Sequence, residues 1–223
     1  MGMNLGVKLY FKTQEDREQR EKLEKQDLER QLEYLRYQVN PHFFMNTLNN
    51  IHALVDINPE RAKTTIVELS KMMRYILYEG DKKLIPVQRE TLFLKNYIEL
   101  MRLRYSSRVS ISLDIPEMMP DVMLPPLLLI IFVENAFKHG VSYAAPSFID
   151  IKVEVDQKKL KFRCRNSRQE QKPDEKKKKG GVGLANARRR LDLLFPDQYS
   201  LEIKEDDKEY DVQLEIPLSK NNN

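Results

Sequence analysis

The chain is predicted to be α+β, with a helical hairpin that pairs with its own copy as a four-helix bundle, followed by an α/β sandwich. Three observations predict this. Thr13 to Tyr37 contain no Gly or Pro, and two amphipathic stretches follow, punctuated by Asn58-Pro59-Glu60. From Leu84 onward, segments alternating apolar and polar residues interleave with segments of helical periodicity, the pattern of a sheet with helices packed on one face. A length of 223 residues suffices for one or two domains with a sizeable core.

Thr13 to Tyr37 is dominated by Glu, Gln, Lys, Arg and Leu, all good helix formers. Leu28, Leu32, Leu35 and Val39 follow a 4, 3, 4 spacing, the seam of a short coiled coil that upstream meets Lys25 and Glu21. Pro41 removes a backbone donor and disfavours helix at Asn40, so a kink or restart belongs there. Phe44, Leu48, Ile51 and Leu54 or Val55 then keep helical spacing up to about Asp56 to Asn58. Asn58 is a cap residue, Pro59 suits a first turn and Glu60 is an early acid, so a second helix starts there. It is expected to run to about Glu79, facing Ile66, Leu69, Met73, Ile76 and Leu77 inward, with Gly80 ending it. Two such helices cannot bury both apolar faces alone, which makes a dimeric bundle the economical solution.

A helix is expected from about Gln88 to Arg104, a strand over Val109 to Ile115 and a helix from Pro126 to Lys138. Strands follow at Phe148 to Val155 and Lys159 to Arg165, then a lysine-rich loop from Asn166 to Lys179 and a helix from Leu184 to Leu194. A hairpin of Ser200 to Lys204 with Tyr210 to Ile216 closes the chain.

The formal charge of +4 and the pI near 8.9 are too mild to imply a nucleic-acid partner, and none is expected. Part of the excess is local, since Lys176 to Lys179 is an unbroken run. One cysteine, Cys164, excludes an intrachain disulfide and reads as a small buried residue of a strand. No stretch approaches the ~20 apolar residues that cross a bilayer. The opening MNLGVKLYF is a short apolar stub without a signal-peptide h-region, consistent either with a frayed chain end or with the last turns of a membrane helix.

Three clusters carry chemistry. Glu134, Asn135, Lys138 and His139 sit at the end of an apolar helix, with Asn135 one turn before Lys138 and His139. An amide oxygen can ligate Mg²⁺ while Lys and His donate to phosphate oxygens, although a polar end to an apolar helix has the same look. Gly180, Gly181 and Gly183 precede a helix that opens with Leu184, where backbone N–H groups and the helix dipole suit an anion. A loop-to-helix hinge reads the same way, and no GxxxxGK[ST] sequence is present. In QVNPHFFMNTLNNI, His42 is followed four residues later by Asn46, an amide on the same helical face that can orient the ring. His52, nearly three turns on, reads as packing or surface.

In this order the three clusters resemble the LytS/YehU-type sensor histidine kinases. QVNPHFFMNTLNNI is similar to that family's phosphoacceptor box, usually close to NPHFLFNTLN. PPLLLIIFVENAFKHG is similar to its PPLLLQPLVENAIKHG, and GGVGLANARRRLDLLFP to its GIGLxNxxxRL, with KNYIELMRLRY as a further match. The resemblance covers about Leu32 to Pro217. It implies residues 1–31 as an N-terminal stub and signalling coiled-coil helix, 32–83 as a dimerisation and phosphoacceptor hairpin, and 84–223 as a Bergerat-type ATP-binding domain.

The same resemblance implies His42 as the phosphoacceptor and Asn135 as the Mg²⁺ ligand in an ATP site. Glu134, Lys138, His139 and Leu184 would line that site. Gly181 and Gly183 would hinge a lid made of Ser167 to Lys179, and Asn166 would occupy the place of the aspartate that reads adenine. It further implies a homodimer, a response regulator as partner, of the LytTR type, and a cytoplasmic fragment anchored in the bacterial inner membrane through a missing N-terminal region.

The chain departs from the family pattern in three places. Asn166 is neutral where the family has a carboxylate, and Ser167 and Arg168 replace glycines. Ile130 and Ile131 stand where Gln-Pro is usual; Ile131 lies four residues before Asn135, where hydrolytic relatives place a water-activating carboxylate, which favours transfer over hydrolysis. Phe43 replaces the acid that many other histidine kinases place beside the histidine, in keeping with this family. Asn166 and the missing glycines leave an alternative open, a degenerate nucleotide-binding dimeric scaffold without kinase activity. An ATPase clamp is a third reading, disfavoured by the missing carboxylate. Acid-labile labelling by γ-labelled ATP separates the kinase reading from the other two.

Overall fold

The structure, a computed structural model, describes Gln14, Arg17 and residues 41–105, 108–142, 145–168 and 182–220, without the side chains of Pro41, His42 and Val182. The expected coiled-coil seam of Leu28, Leu32, Leu35 and Val39 lies outside these residues, as does most of the lysine-rich loop. Residues Asn40–Asn223 form one compact unit.

Helices α1 (Pro41–Ile57) and α2 (Pro59–Glu79) make the hairpin. The break between them is built as the sequence implies: the Asn58 side chain accepts from the Arg61 backbone N–H at 3.0 Å, with Pro59 in the first turn. Gly80 ends α2, its N–H donating to the Tyr75 carbonyl.

The inward stripes differ from those expected. On α1, Phe43, Thr47 and Ile51 are buried while Leu48 and Val55 are each 50% exposed. On α2, Ala62, Thr65, Leu69 and Met72 are buried, whereas Ile66, Met73 and Leu77 are not. Each helix carries two apolar stripes, and only one of them packs within the chain. Thr47 and Thr65 tolerate burial because each hydroxyl donates to the carbonyl four residues back, at 2.8 Å.

A short strand β1 (Ile85–Pro86) leads into α3 (Val87–Arg102), followed by β2 (Val109–Asp114) and β3 (Val122–Leu124). Helix α4 (Ile130–His139) precedes β4 (Ser147–Val155) and β5 (Lys159–Ser167), then α5 (Val182–Leu194), β6 (Ser200–Glu205), β7 (Glu209–Pro217) and β8 (Ser219–Lys220). The main sheet has the order β2-β4-β5-β7-β6, with β2 and β4 parallel and the other pairs antiparallel, a mixed sheet as expected. A second sheet, β1-β3-β8, was not legible, because strands of two or three residues are too short to alternate.

Alternation along the long strands sets the layers. Ile149, Ile151 and Val153 of β4, Leu160, Phe162 and Cys164 of β5, and Val212, Leu214 and Ile216 of β7 are buried on one face. The opposite face carries ion pairs such as Arg163 with Asp211 at 2.8 Å and Arg165 with Asp150 at 3.2 Å. Asp211 is buried beneath Arg163, while Arg165 and Asp150 are partly exposed, so the second pair adds little stability. Helix α4 covers the apolar face, its Phe132 ring 5.9 Å from that of Phe162.

Cys164 is 1% exposed, and burial pushes its thiol pKa up. Since the thiolate is the reactive form, an aromatic disulfide reagent at pH 8 is expected to leave the folded protein untouched and to titrate one thiol per chain in denaturant. Release of chromophore within minutes from the folded protein would show that this strand opens.

Candidate nucleotide and phosphoacceptor site

Helix α4 starts at Ile130 rather than Pro126, because residues Pro126 to Leu129 form a turn in which Leu127 takes φ 55°. Left-handed backbone costs a leucine energy, so neighbouring groups must hold it. Two do so. The buried Glu90 carboxylate of α3 accepts the N–H groups of Leu127 at 2.8 Å, Leu128 at 2.9 Å and Leu129 at 3.2 Å. The guanidinium of Arg190 on α5, 2% exposed, donates to the carbonyls of Leu127 and Pro126.

From this turn α4 projects Glu134, Asn135, Lys138 and His139. Asn135 is half-buried and faces α5: a Cβ added to Gly183 would lie 3.4 Å from its Oδ1, so glycine there brings the helix backbone against the amide. At the other end of α4, a Cβ on Gly140 would lie 2.6 Å from both the Cβ and Nδ2 of Asn166. Glycine is therefore obligatory where α4 meets β5. The structure thus gathers Asn135, Gly183, Gly140 and Asn166 between α4, α5 and β5. Lys138 is exposed on the last turn of α4, while His139 and Leu184 are half-buried.

Asn166 and Ser167 belong to strand β5 rather than to the loop, which corrects the expected boundary. Asn166 is 3% exposed, and its Nδ2 donates to the Ser167 carbonyl at 2.9 Å. Ser167 Oγ donates to the Gly140 carbonyl at 2.8 Å and accepts the Phe148 N–H at 2.9 Å. Arg168 reaches the β6–β7 turn, donating to the Asp206 carbonyl at 2.8 Å and pairing with Glu205 at 2.6 Å. The two residues standing where glycines were expected are therefore anchors, and the lid reading does not extend to them. Residues 169–181, including Gly181, lie outside the described residues.

His42 lies in the first turn of α1, and helical register sets Asn46, which is half-buried, one turn on. The same turn docks through Phe43, whose ring stacks on Tyr97 of α3 at 4.9 Å. Tyr97 in turn meets Phe137 of α4 edge-on at 6.0 Å, and Tyr105 stacks on Phe137 at 5.8 Å. Burial first, then the Glu134 carboxylate, pushes the Tyr97 phenol pKa upward. The aromatic line runs from the residue after His42 to the residue before Lys138. His52 is exposed, a surface residue.

Tyr97, Glu90 and Arg190 were not singled out from the sequence. Glu90 had a usable signal: it shares the inward stripe of α3 with Val87, Thr91, Leu94 and Ile98, where a carboxylate requires partners. Arg190 had only its phase, seven residues after Gly183, to tell it from Arg188 and Arg189.

These residues fit a nucleotide with its metal. Among the described residues no group of three or more His, Cys, Asp or Glu could hold a metal, so a cation here would share one or two protein ligands with phosphate oxygens, as Mg²⁺ does.

The histidine kinase family matches residues 30–109. The chain is 29% identical over 210 residues to the sensor protein LytS of Oceanobacillus iheyensis, covering 88% of this chain and 36% of that protein. It is 38% identical over 110 residues to the sensor histidine kinase/phosphatase LytS of Staphylococcus aureus, covering 49% and 19%. A histidine kinase domain from Erythrobacter litoralis aligns with TM-score 0.48 at 16% identity, over 86% of this chain and 95% of that one. The chain thus spans about a third or less of the length of these LytS relatives. With its histidine box on α1 and its asparagine and glycine boxes meeting between α4 and α5, the chain is similar to the sensor histidine kinases of the LytS type over the lengths matched.

Proposed function

We propose that this chain is the kinase region of a two-component sensor, in which hairpin 32–83 bears the phosphoacceptor His42 and segment 84–223 binds ATP. The observation that carries the reading is the docking of the His42 turn, through Phe43 and Tyr97, onto the helix that bears Asn135. Asn135 would ligate Mg²⁺, and Lys138 and His139 would donate to phosphate oxygens. Asn166, buried where α4 ends, would meet the base, and the backbone near Gly181 and Gly183 would approach the phosphates.

Mg-ATP supplies the γ-phosphoryl group. A ring nitrogen of His42 attacks it in line, the bond from phosphorus to the bridging oxygen breaks, ADP leaves and the imidazole loses its proton. The protein contributes positioning and electrostatics; Asn46, one turn along α1, is placed to orient the ring. The phosphoryl group then passes to an aspartate of a response regulator, here read as LytTR-type. The parent protein is read as anchored in the inner membrane with this region in the cytoplasm; among the described residues no helix is long and apolar enough to cross a membrane.

The scaffold alternative drew on Asn166 and on Ser167 and Arg168 in the place of glycines; of these, Ser167 and Arg168 have hydrogen-bond partners that account for their identity. The deciding experiment is a calorimetric titration. Asn135→Ala is expected to weaken Mg-ATP binding at least about tenfold, roughly 1.4 kcal/mol, with an unchanged thermal midpoint. Parental affinity in that variant would remove the metal ligand from the reading and the nucleotide site with it.

A further inference from the structure

Helix α2 meets the turn that opens the nucleotide helix at a carboxylate of α3, Glu90. Glu90 is fully buried, and besides the three backbone N–H groups of the Pro126–Leu129 turn it accepts the hydroxyl of Tyr75 on α2 at 2.5 Å. Four donors thus converge on two oxygens, and they come from two elements with different tasks in the proposed reaction. The Tyr75 ring is held in place by stacking on Phe93 of α3 at 4.4 Å. Its phenol is a fixed donor, since burial, and after it the Glu90 charge, raises its pKa far above the working range.

The turn on the other side of Glu90 has little freedom of its own. Its N–H groups go to Glu90, two of its carbonyls go to Arg190, and Leu127 is held at positive φ between them. A change in where Glu90 sits therefore leaves buried N–H groups unsatisfied or moves the start of α4, and α4 carries Asn135. Arg190 adds the third input, because it rides on the helix whose Gly183 packs against Asn135. On the α2 side, Glu79 pairs with Arg89 of α3 at 3.0 Å, a second contact between these helices beside the Tyr75–Phe93 stack.

We infer that Tyr75 and Glu90 are positioning residues that couple the hairpin to the nucleotide site, the Tyr75 hydroxyl being the exchangeable contact and the Glu90 carboxylate the fixed one. This coupling rests on the ATP-site reading given above. It requires reciprocity: a nucleotide that fixes α4 must stabilise α2, and a change in α2 must be felt at α4.

Hydrogen exchange on the 223-residue chain tests this, with and without saturating Mg-ATP. In the parent, nucleotide is expected to slow exchange in 72–79 of α2 by at least about fivefold, along with residues of α4. Tyr75→Phe keeps the ring stack and removes only the hydroxyl; it is expected to reduce the nucleotide effect in α2 to less than about twofold and leave that in α4 intact. A merely structural hydroxyl would speed exchange in α2 equally with and without nucleotide. Glu90→Gln, which sets an amide donor against backbone donors, is expected to speed exchange of Leu127 to Leu129 and weaken Mg-ATP binding. If it fails to fold, Tyr75→Phe decides the matter alone. A parent that binds Mg-ATP yet shows no protection in α2, or shows the same protection as Tyr75→Phe, overturns the coupling and leaves the ATP site standing. A parent that does not bind Mg-ATP overturns both.

Discussion

His42→Gln is expected to abolish acid-labile incorporation of the γ-phosphoryl group from ATP while changing Mg-ATP affinity by less than about twofold, well under 1 kcal/mol. The separation follows from the architecture. His42 lies on α1, whereas Asn135, Gly183, Gly140 and Asn166 are brought together by α4, α5 and β5. Glutamine preserves length and helix propensity, so Phe43 keeps its stack on Tyr97 and the hairpin stays docked. What is lost is a nitrogen able to attack phosphorus. Phosphoramidate is hydrolysed in acid and stable in base, the reverse of a phosphoserine, so the label's chemistry identifies the acceptor as well as its loss. His139 is half-buried within the nucleotide cluster and His52 is exposed on the hairpin, which makes them the controls. Undiminished acid-labile label in His42→Gln would move the acceptor to one of them, or show that the histidine box serves only to pack α1.

How much of this was legible depends on whether the cause was local. Asn58-Pro59-Glu60 announces a cap, and the Asn58 oxygen accepts the Arg61 N–H as that signal requires. Strands β4, β5 and β7 alternate over nine residues each, long enough for the period of two to declare itself. The start of α4 misled because PPLLL reads as helix, while the turn there is imposed by Glu90 and Arg190, 37 and 63 residues distant from Leu127. Asn166 was assigned to the site by resemblance alone; its burial against Gly140 depends on β5 extending to Ser167, which the polar run after Arg165 concealed. The inward stripes of α1 and α2 failed for a different reason. Both stripes on each helix are genuine, and periodicity cannot say which one serves the chain itself.

The unused stripe gives the second large effect. Met45, Leu48 and Val55 on α1 and Ile66, Val67, Met73, Leu77 and Tyr78 on α2 are all close to half exposed or more, a concentration of apolar surface on one hairpin that a single soluble chain rarely leaves uncovered. A second copy offers the same surface, and two antiparallel pairs close into a four-helix bundle. The protein is therefore expected to scatter as twice its 26.5 kDa chain mass at micromolar concentration. Leu48→Glu combined with Leu77→Glu would bury two unpaired carboxylates per protomer, costing at least about 4 kcal/mol, or roughly a thousandfold in Kd. The double variant should run as a folded monomer with its thermal transition still cooperative, since both positions are solvent-facing within the chain. Leu69→Glu is the contrast: Leu69 is 5% exposed inside the protomer, so a charge there should unfold the hairpin rather than merely dissociate the dimer. A parent that scatters as a monomer, or a Leu48→Glu, Leu77→Glu protein that remains dimeric, would show that this face is covered by something other than a second copy of the chain.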